Sequence, residues 1–254
     1  MKIIFLGTNG WYTSPTGNTP CVLIDSKKQY VVFDAGNGIY KLDKYITENK
    51  PIALFISHFH LDHVSGLHTL AKFSFPQGID VYVGNGRKKD FETLVSPPYT
   101  IGYLPNSRNI SNLKTEIRLH ELSDGEQNVN FPVSAIELFH AYRDHGFRVS
   151  LEDKVIAYSG DCGITDKSKE LAKNVDLLIH ECGNSKPGQD ANWGHTSATE
   201  AAALAKSSNV KKLILTHFGT TFFPTLAERK KAETEAKKIF PNTIVALDDL
   251  VLEI

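Results

Sequence analysis

The chain has 254 residues, with 28 Lys and Arg against 29 Asp and Glu, a formal charge of −1 and a hydrophobic share of 41%. That balance excludes a disordered chain and a protein that holds nucleic acid by bulk charge alone, and three Cys are too few for a disulfide framework. What stands out is ten His.

Read in chain order, Ile3–Leu6, Cys21–Ile24 and Gln29–Asp34 are predicted strands separated by turn-rich segments, an antiparallel meander. A helix of about ten residues follows Gly36-Asn37-Gly38, on the helical spacing of Ile39, Leu42, Tyr45 and Ile46. Ile52–Ser57 reads as a buried strand, Val64–Lys72 as a helix, Asp80–Val83 as a strand and Arg87–Leu94 as a helix. Ser96–Asn112 carries three Pro and no periodicity, so it is expected to be a loop, either a flap over a site or an inert excursion. In the second half, Val133–Phe139, Phe147–Leu151, Val155–Tyr158, Asp176–Ile179, Lys212–Leu215 and Thr243–Leu247 are predicted strands. Ser197–Ser207 and Thr225–Phe240 are predicted helices, the first opening on the capping box Ser197-x-x-Glu200. With no linker or repeat, the chain reads as one α/β domain, residues 1–254, made of two sheets with helices outside. No apolar run approaches the ~20 residues of a membrane helix, no secretory signal is visible, and the widely spaced Cys21, Cys162 and Cys182 suit a reducing compartment; a cytoplasmic protein is expected.

The segment Ser57-His58-Phe59-His60-Leu61-Asp62-His63 carries most of the functional information. An extended chain end turns His58 and His60 to the same side, while Asp62 and His63 fall where the chain enters a helix. These donor types suit Zn²⁺ or another borderline divalent cation, with Mn²⁺ and Fe²⁺ compatible. His140, Asp161 and His217 each follow an apolar run, at the carboxyl ends of predicted strands where ligand-binding residues collect in layered α/β folds. A lone His in such a place would more often be structural; three residues in equivalent places reverse that preference.

His58-x-His60-x-Asp62-His63, followed in order by His140, Asp161 and His217, resembles the signature of the metallo-β-lactamase superfamily. The resemblance runs from Phe5-Leu6-Gly7-Thr8 through Phe33-Asp34-Ala35-Gly36 to nearly the end of the chain. It implies an αββα sandwich of two mixed sheets flanked by helices, with two metal ions at one edge. One ion would be held by His58, His60 and His140, the other by Asp62, His63 and His217. Asp161 would bridge them, and a bridging hydroxide would be the nucleophile.

Phe5-Leu6-Gly7-Thr8 together with His180-Glu181 and Gly194-His195-Thr196-Ser197 is similar to the ribonuclease Z branch, whose members are phosphodiesterases. In that branch Glu181 and His195 would work together beside the metals, with His195 giving a proton to the leaving oxygen and Asp62 counted in the catalytic set. The start of the Ser197 helix is expected to favour a phosphate. Arg143, His145 and Thr196 are further candidate substrate contacts. Only twenty residues separate His140 from Asp161, too few for the tRNA-gripping arm of long members. Phe218-Gly219-Thr220-Thr221-Phe222-Phe223 also lacks that branch's phosphate-contacting Arg. The expected reaction is therefore metal-dependent hydrolysis of an RNA end or a small, including cyclic, phosphodiester. Hydrolysis of a carboxylic or sulfuric ester, lactone or thioester is the runner-up; a silent RNA-binding scaffold comes third, because every ligand position is filled. The partner expected is the substrate, with no membrane; a homodimer is compatible with the reading. The triplets Arg87-Lys88-Lys89 and Arg229-Lys230-Lys231 are read as solvated helix faces, His68 as structural, and Cys162 and Cys182 as small buried thiols.

Overall fold

The computed structural model describes residues 1–104, 113–189 and 192–254. In the first half the elements are β1 (Lys2–Gly7), β2 (Asn9–Gly10), β3 (Cys21–Asp25), β4 (Tyr30–Phe33), α1 (Leu42–Tyr45), β5 (Ile52–Phe55), α2 (Leu61–Val64), β6 (Ile79–Gly84), α3 (Lys88–Leu94) and β7 (Ile117–Leu122). The second half contributes β8 (Gly125–Asn128), β9 (Pro132–Leu138), β10 (Asp144–Leu151), β11 (Lys154–Tyr158), α4 (Asp166–Ala172), β12 (Leu177–Cys182), α5 (Ala198–Ser207), β13 (Lys212–Gly219), α6 (Leu226–Ile239), β14 (Thr243–Val245) and β15 (Val251–Glu253).

The strands form two mixed sheets. The first runs β15-β1-β3-β4-β5-β6-β7 and the second β14-β13-β12-β11-β10-β9-β8, with β2 beside β13. Each joins an antiparallel part to a parallel one: β4, β5, β6 and β7 run parallel in the first sheet, and β11, β12, β13 and β14 in the second. Two short strands cross between the halves. β15 closes on β1, and β2 carries the Asn9-Gly10 backbone onto Phe218-Gly219 beside His217.

Alternation along the strands builds the layers. Ile3 and Phe5 of β1 face the core between the sheets, while Ile4 and Leu6 face the outer core under the helices of the first half. Burial on both faces explains why these strands read as unbroken apolar runs. Between the sheets, Phe33 stacks on Tyr158 with ring centroids 4.9 Å apart. Phe33→Ala should cost about 3–5 kcal/mol, read as a lower urea midpoint. Behind the second sheet, Leu171 of α4, Ala201, Ala202 and Ala205 of α5 and Ala236 of α6 pack on Leu178, Leu213 and Leu215. The αββα sandwich is thus the observed architecture.

Several local expectations need correction. The helix expected after Gly38 is a 3-10 helix, Asn37–Lys41, followed by the single α-turn α1. The helix expected at Val64–Lys72 starts earlier, at Leu61, and continues as a 3-10 helix, Ser65–Lys72. Both are short segments set by packing on the sheet rather than by helix propensity. Of the expected loop 96–112, residues 105–112 lie outside the described part; within the rest, the Tyr103 hydroxyl donates to the His68 carbonyl at 2.6 Å. The residues between His140 and Asp161 are taken up by a turn and the β10–β11 hairpin, so no arm is inserted there.

Candidate metal centre

The carboxyl ends of β5, β9, β11, β12 and β13 deliver the candidate residues to one edge of the sandwich. His58 and His60 follow β5, and Asp62 and His63 sit in α2, whose first residue is Leu61. His140 lies two residues beyond β9, Asp161 three residues beyond β11, and Glu181 within the end of β12. His217 departs from expectation. It lies inside β13, at a register shift where Glu181 pairs with Thr216 and Cys182 with Phe218. His217 is thus the extra residue of a bulge, with φ at +50°. Bulges re-aim side chains, and a non-glycine residue in the left-handed region is costly unless its surroundings hold it there. Gly10 makes room: a Cβ there would lie 2.6 Å from the His217 ring.

These residues converge in two adjacent groups, linked by a third made of Asp161, His195 and His217. The ligand atoms of His58, His60, His140 and Asp161 lie within 4.8 Å of one another, as do those of Asp62, His63 and His217. Asp161 reaches both groups, with Oδ2 3.3 Å from His63 Nε2 and 3.8 Å from His58 Nε2, and Oδ1 3.2 Å from His217 Nε2.

The donors fit a divalent cation on three observations. His58 Nε2 and Asp161 Oδ1 are buried without a hydrogen-bond partner, which is costly unless something else takes their lone pairs. Imidazole nitrogens face one another at 3.2 Å, His63 Nε2 to His217 Nε2 and His60 Nδ1 to His140 Nε2. The third observation is electrostatic. Burial, with the neighbouring imidazoles, pushes His58 down to about 3 and His60 to about 4, so both are neutral donors. Burial also opposes charge on His63 and His217, but Asp161 and Asp62 outweigh it and raise both. That half of the cluster calls for positive charge, which a metal ion would supply in place of protons.

Two buried carboxylates outside the sequence-derived set orient the rings. Asp144 Oδ2 lies 2.6 Å from His58 Nδ1, and Asp34 Oδ2 lies 2.7 Å from His63 Nδ1. Each leaves Nε2 aimed at the cluster, the arrangement that fixes the tautomer of a metal-binding imidazole. Asp34 also accepts from the Ser57 amide and hydroxyl and from the Tyr158 hydroxyl. Gly36 lets this turn close on α2, since a Cβ there would lie 2.3 Å from the Asp62 carbonyl. The local signal for Asp34 was a carboxylate directly after a buried strand; Asp144 lies between two residues that were singled out and itself gave no signal.

Beside the cluster, His195 Nδ1 lies 3.0 Å from Glu181 Oε1. Burial works against a charge on His195, yet the Glu181 carboxylate lifts it to about 9. Glu181 is fully buried and held by the amides of Cys162, Gly183 and Thr196. The His195 ring lies against those of His140 and His217, with centroids 5.1 and 5.9 Å away.

Thr196, Arg143 and His145 do not join the site. Thr196 is fully buried, with its amide on Glu181 and its hydroxyl on the Cys162 carbonyl, so it positions Glu181 and presents nothing to substrate. The Arg143 guanidinium is held by Glu137 at 2.6 Å and the Asn85 carbonyl. His145 is buried on Asp124, facing Gly84. The start of α5 is likewise committed: the Ser197 amide donates to Glu200 and the Glu200 amide to Ser197 Oγ, the expected capping box. Arg229 also departs from the expected solvated face. It is fully buried under Phe218 and donates to Thr8, Thr16 and Asn9. His68 remains outside the cluster, bonded to the Ser65 carbonyl, and Cys162 and Cys182 are buried thiols.

The family model described as Beta-lactamase superfamily domain matches residues 29–218. A ribonuclease Z of Archaeoglobus fulgidus is 28% identical across all of this chain and 97% of its own length; the alignment spans 315 residues, so that relative carries segments with no counterpart here. Human tRNase Z, short form, is 26% identical with a TM-score of 0.75, covering 100% of this chain and 99% of its own. The metallo-β-lactamase fold protein YhfI from Bacillus subtilis is 21% identical with a TM-score of 0.77, covering 99% of each chain, a likeness of fold. No described helix is long and apolar enough to cross a membrane.

Proposed function

This chain belongs to the β-lactamase superfamily, and on that premise we propose that it is a metal-dependent phosphodiesterase, a compact ribonuclease Z-like hydrolase folded as one domain. The observation that carries the reading is Asp161 lying within reach of two donor groups, with the Glu181–His195 pair beside them. His58, His60 and His140 would hold one ion and Asp62, His63 and His217 the other, with Asp161 shared. The mixed imidazole and carboxylate set suits Zn²⁺, and also admits Mn²⁺ or Fe²⁺. Such ions would supply activation of water and neutralisation of charge on the phosphoryl oxygens.

The protein's own groups do the rest. Asp34 and Asp144 hold the His63 and His58 rings in register. Glu181 keeps His195 protonated and fixes its ring, so that its Nε2 proton is available to a departing alkoxide. Burial of Glu181 and its three amide donors hold the carboxylate in place, while the His195 ring stays open to solvent on one side. The ribonuclease Z named among the relatives supports a phosphodiester over a carboxylic or sulfuric ester, lactone or thioester. The short β10–β11 connection favours an RNA end or a small or cyclic diester over a whole tRNA precursor. Assays of metal-loaded protein in parallel on bis(p-nitrophenyl) phosphate, an RNA 3′ extension and a lactone panel test this. Hydrolysis of the diesters alone is expected; turnover of lactones without diesters would overturn the reading.

A further inference from the structure

We propose that the exposed aromatic rings around the metal centre, Trp11 on one side and Tyr142 with Trp193 on the other, form a stacking subsite for a nucleobase attached to the scissile phosphate. The inference rests on the phosphodiesterase reading and narrows its substrate to nucleotide diesters.

Position is the first argument. The Trp11 amide donates to Asp62 Oδ2 at 2.7 Å, so this residue touches a candidate ligand directly. Across the cluster, the Tyr142 ring stands 5.1 Å from the His60 ring. The Trp193 carbonyl accepts from the Ala141 amide at 3.0 Å, next to both Tyr142 and the Gly194-His195 turn. The second argument is exposure. Trp11 is 71% exposed, Tyr142 61% and Trp193 54%. Tryptophan is on average a well-buried residue, yet both Trp of this chain stand at this rim. They add little to the core.

The third argument is that the Trp11 tip is built. Trp11 has φ at +76°, a conformation a bulky aromatic residue adopts only when forced. The Asn9 amide group forces it by donating to the Tyr12 and Gly17 carbonyls and to Ser14 Oγ. Asn9 is in turn gripped by the fully buried Arg229, which also holds Thr8 and Thr16. A buried guanidinium is a costly support for a loop tip, and what it supports is an indole in solvent beside the reacting centre. Planar faces of this kind bind bases with little regard to sequence.

The two Trp make intrinsic fluorescence a local reporter. The metal-loaded 254-residue chain would be titrated with adenosine 5′-monophosphate and with ribose 5-phosphate, with affinities taken from calorimetry. The nucleotide should quench fluorescence and bind about tenfold more tightly, the advantage expected of one stacked base. Trp11→Ala and Tyr142→Ala should each shrink that advantage while leaving ribose 5-phosphate binding in place, and Trp11→Phe should keep it. Equal affinity for the two ligands would overturn the proposal, as would an advantage that survives both Ala variants. Parallel loss of ribose 5-phosphate in Trp11→Ala would overturn it too, because Trp11 would then act only through Asp62. A protein that hydrolyses bis(p-nitrophenyl) phosphate but ignores the base sinks this inference alone. One that discriminates the base but hydrolyses no diester sinks the phosphodiesterase reading instead.

Discussion

His58 and His63 lie in the same segment, five residues apart, buried and each backed by a buried carboxylate, yet the charges around them settle them in opposite states. Around His58, burial and the neighbouring imidazoles leave neutral nitrogens, pushed down to about 3 at His58 and about 4 at His60. Around His63, burial acts in the same direction, but Asp161, Asp62 and Asp34 reverse the outcome. One half is a set of free lone pairs; the other is a pocket of negative charge. A cation answers both needs for different reasons, and only Asp161 takes part in each half. Five substitutions separate these contributions.

Asp161→Ala should do the most damage. It removes the one group common to both halves, so metal content should fall for both ions and phosphodiesterase activity should vanish into background. Elemental analysis alongside the diester assay checks this; loss of a single ion would mean the halves are independent.

His195→Ala acts at the edge of the cluster, where the His195 ring nitrogen lies within 4.8 Å of the Asp161 and His217 ligand atoms. It should slow a diester with an alkyl or ribose leaving group by ~10²–10⁴, the range of general acid catalysis, and slow bis(p-nitrophenyl) phosphate much less, since p-nitrophenolate leaves nearly unaided. Metal content should hold. Equal losses on both substrates would remove the acid role, and metal loss would make His195 a ligand.

Asp144→Asn and Asp34→Asn sharpen the contrast. Each removes the carboxylate behind one ring, and such partners are worth ~10–100-fold in metal affinity. Competition with a fluorescent chelator should show one weakened ion in each variant, a different one in each. Asp34→Asn should also lower the melting temperature more, because Asp34 additionally accepts from Ser57 and Tyr158. His68→Ala should be the smallest change: among the described residues its exposed ring bonds the Ser65 carbonyl in the same 3-10 helix, away from the cluster, and metal content and rate should match the wild type.

The same division explains what could be read from the residues alone. The half built from Ser57–His63 is local: its donors lie in one segment between a buried strand and a helix, so spacing alone exposes them. His140, Asp161 and His217 are scattered and became legible through the family resemblance and their places at strand ends. Asp144 was invisible because one carboxylate at the first position of a strand carries no pattern; only the fold brings it to His58. Arg229 was misread because a basic triplet on a helix usually faces water, whereas here the loop from β2 folds over it. β8 has the sequence Gly-Glu-Gln-Asn, a nearly exposed edge strand without apolar alternation, and α4 is a short polar helix betrayed only by its Thr165–Ser168 capping box. Strands buried on both faces, such as β5, β12 and β13, stood out as apolar runs, and these three carry His58, Glu181 and His217 at or beyond their ends.

The central claim is that two ions, gathered around Asp161, make this protein a phosphodiesterase. Chelator-stripped protein titrated with Zn²⁺, with bis(p-nitrophenyl) phosphate hydrolysis followed at each addition, tests it most directly. Activity should be absent at the start, rise with added metal and saturate at two equivalents per chain. Full activity in the stripped protein, or none after two equivalents are bound, would contradict it.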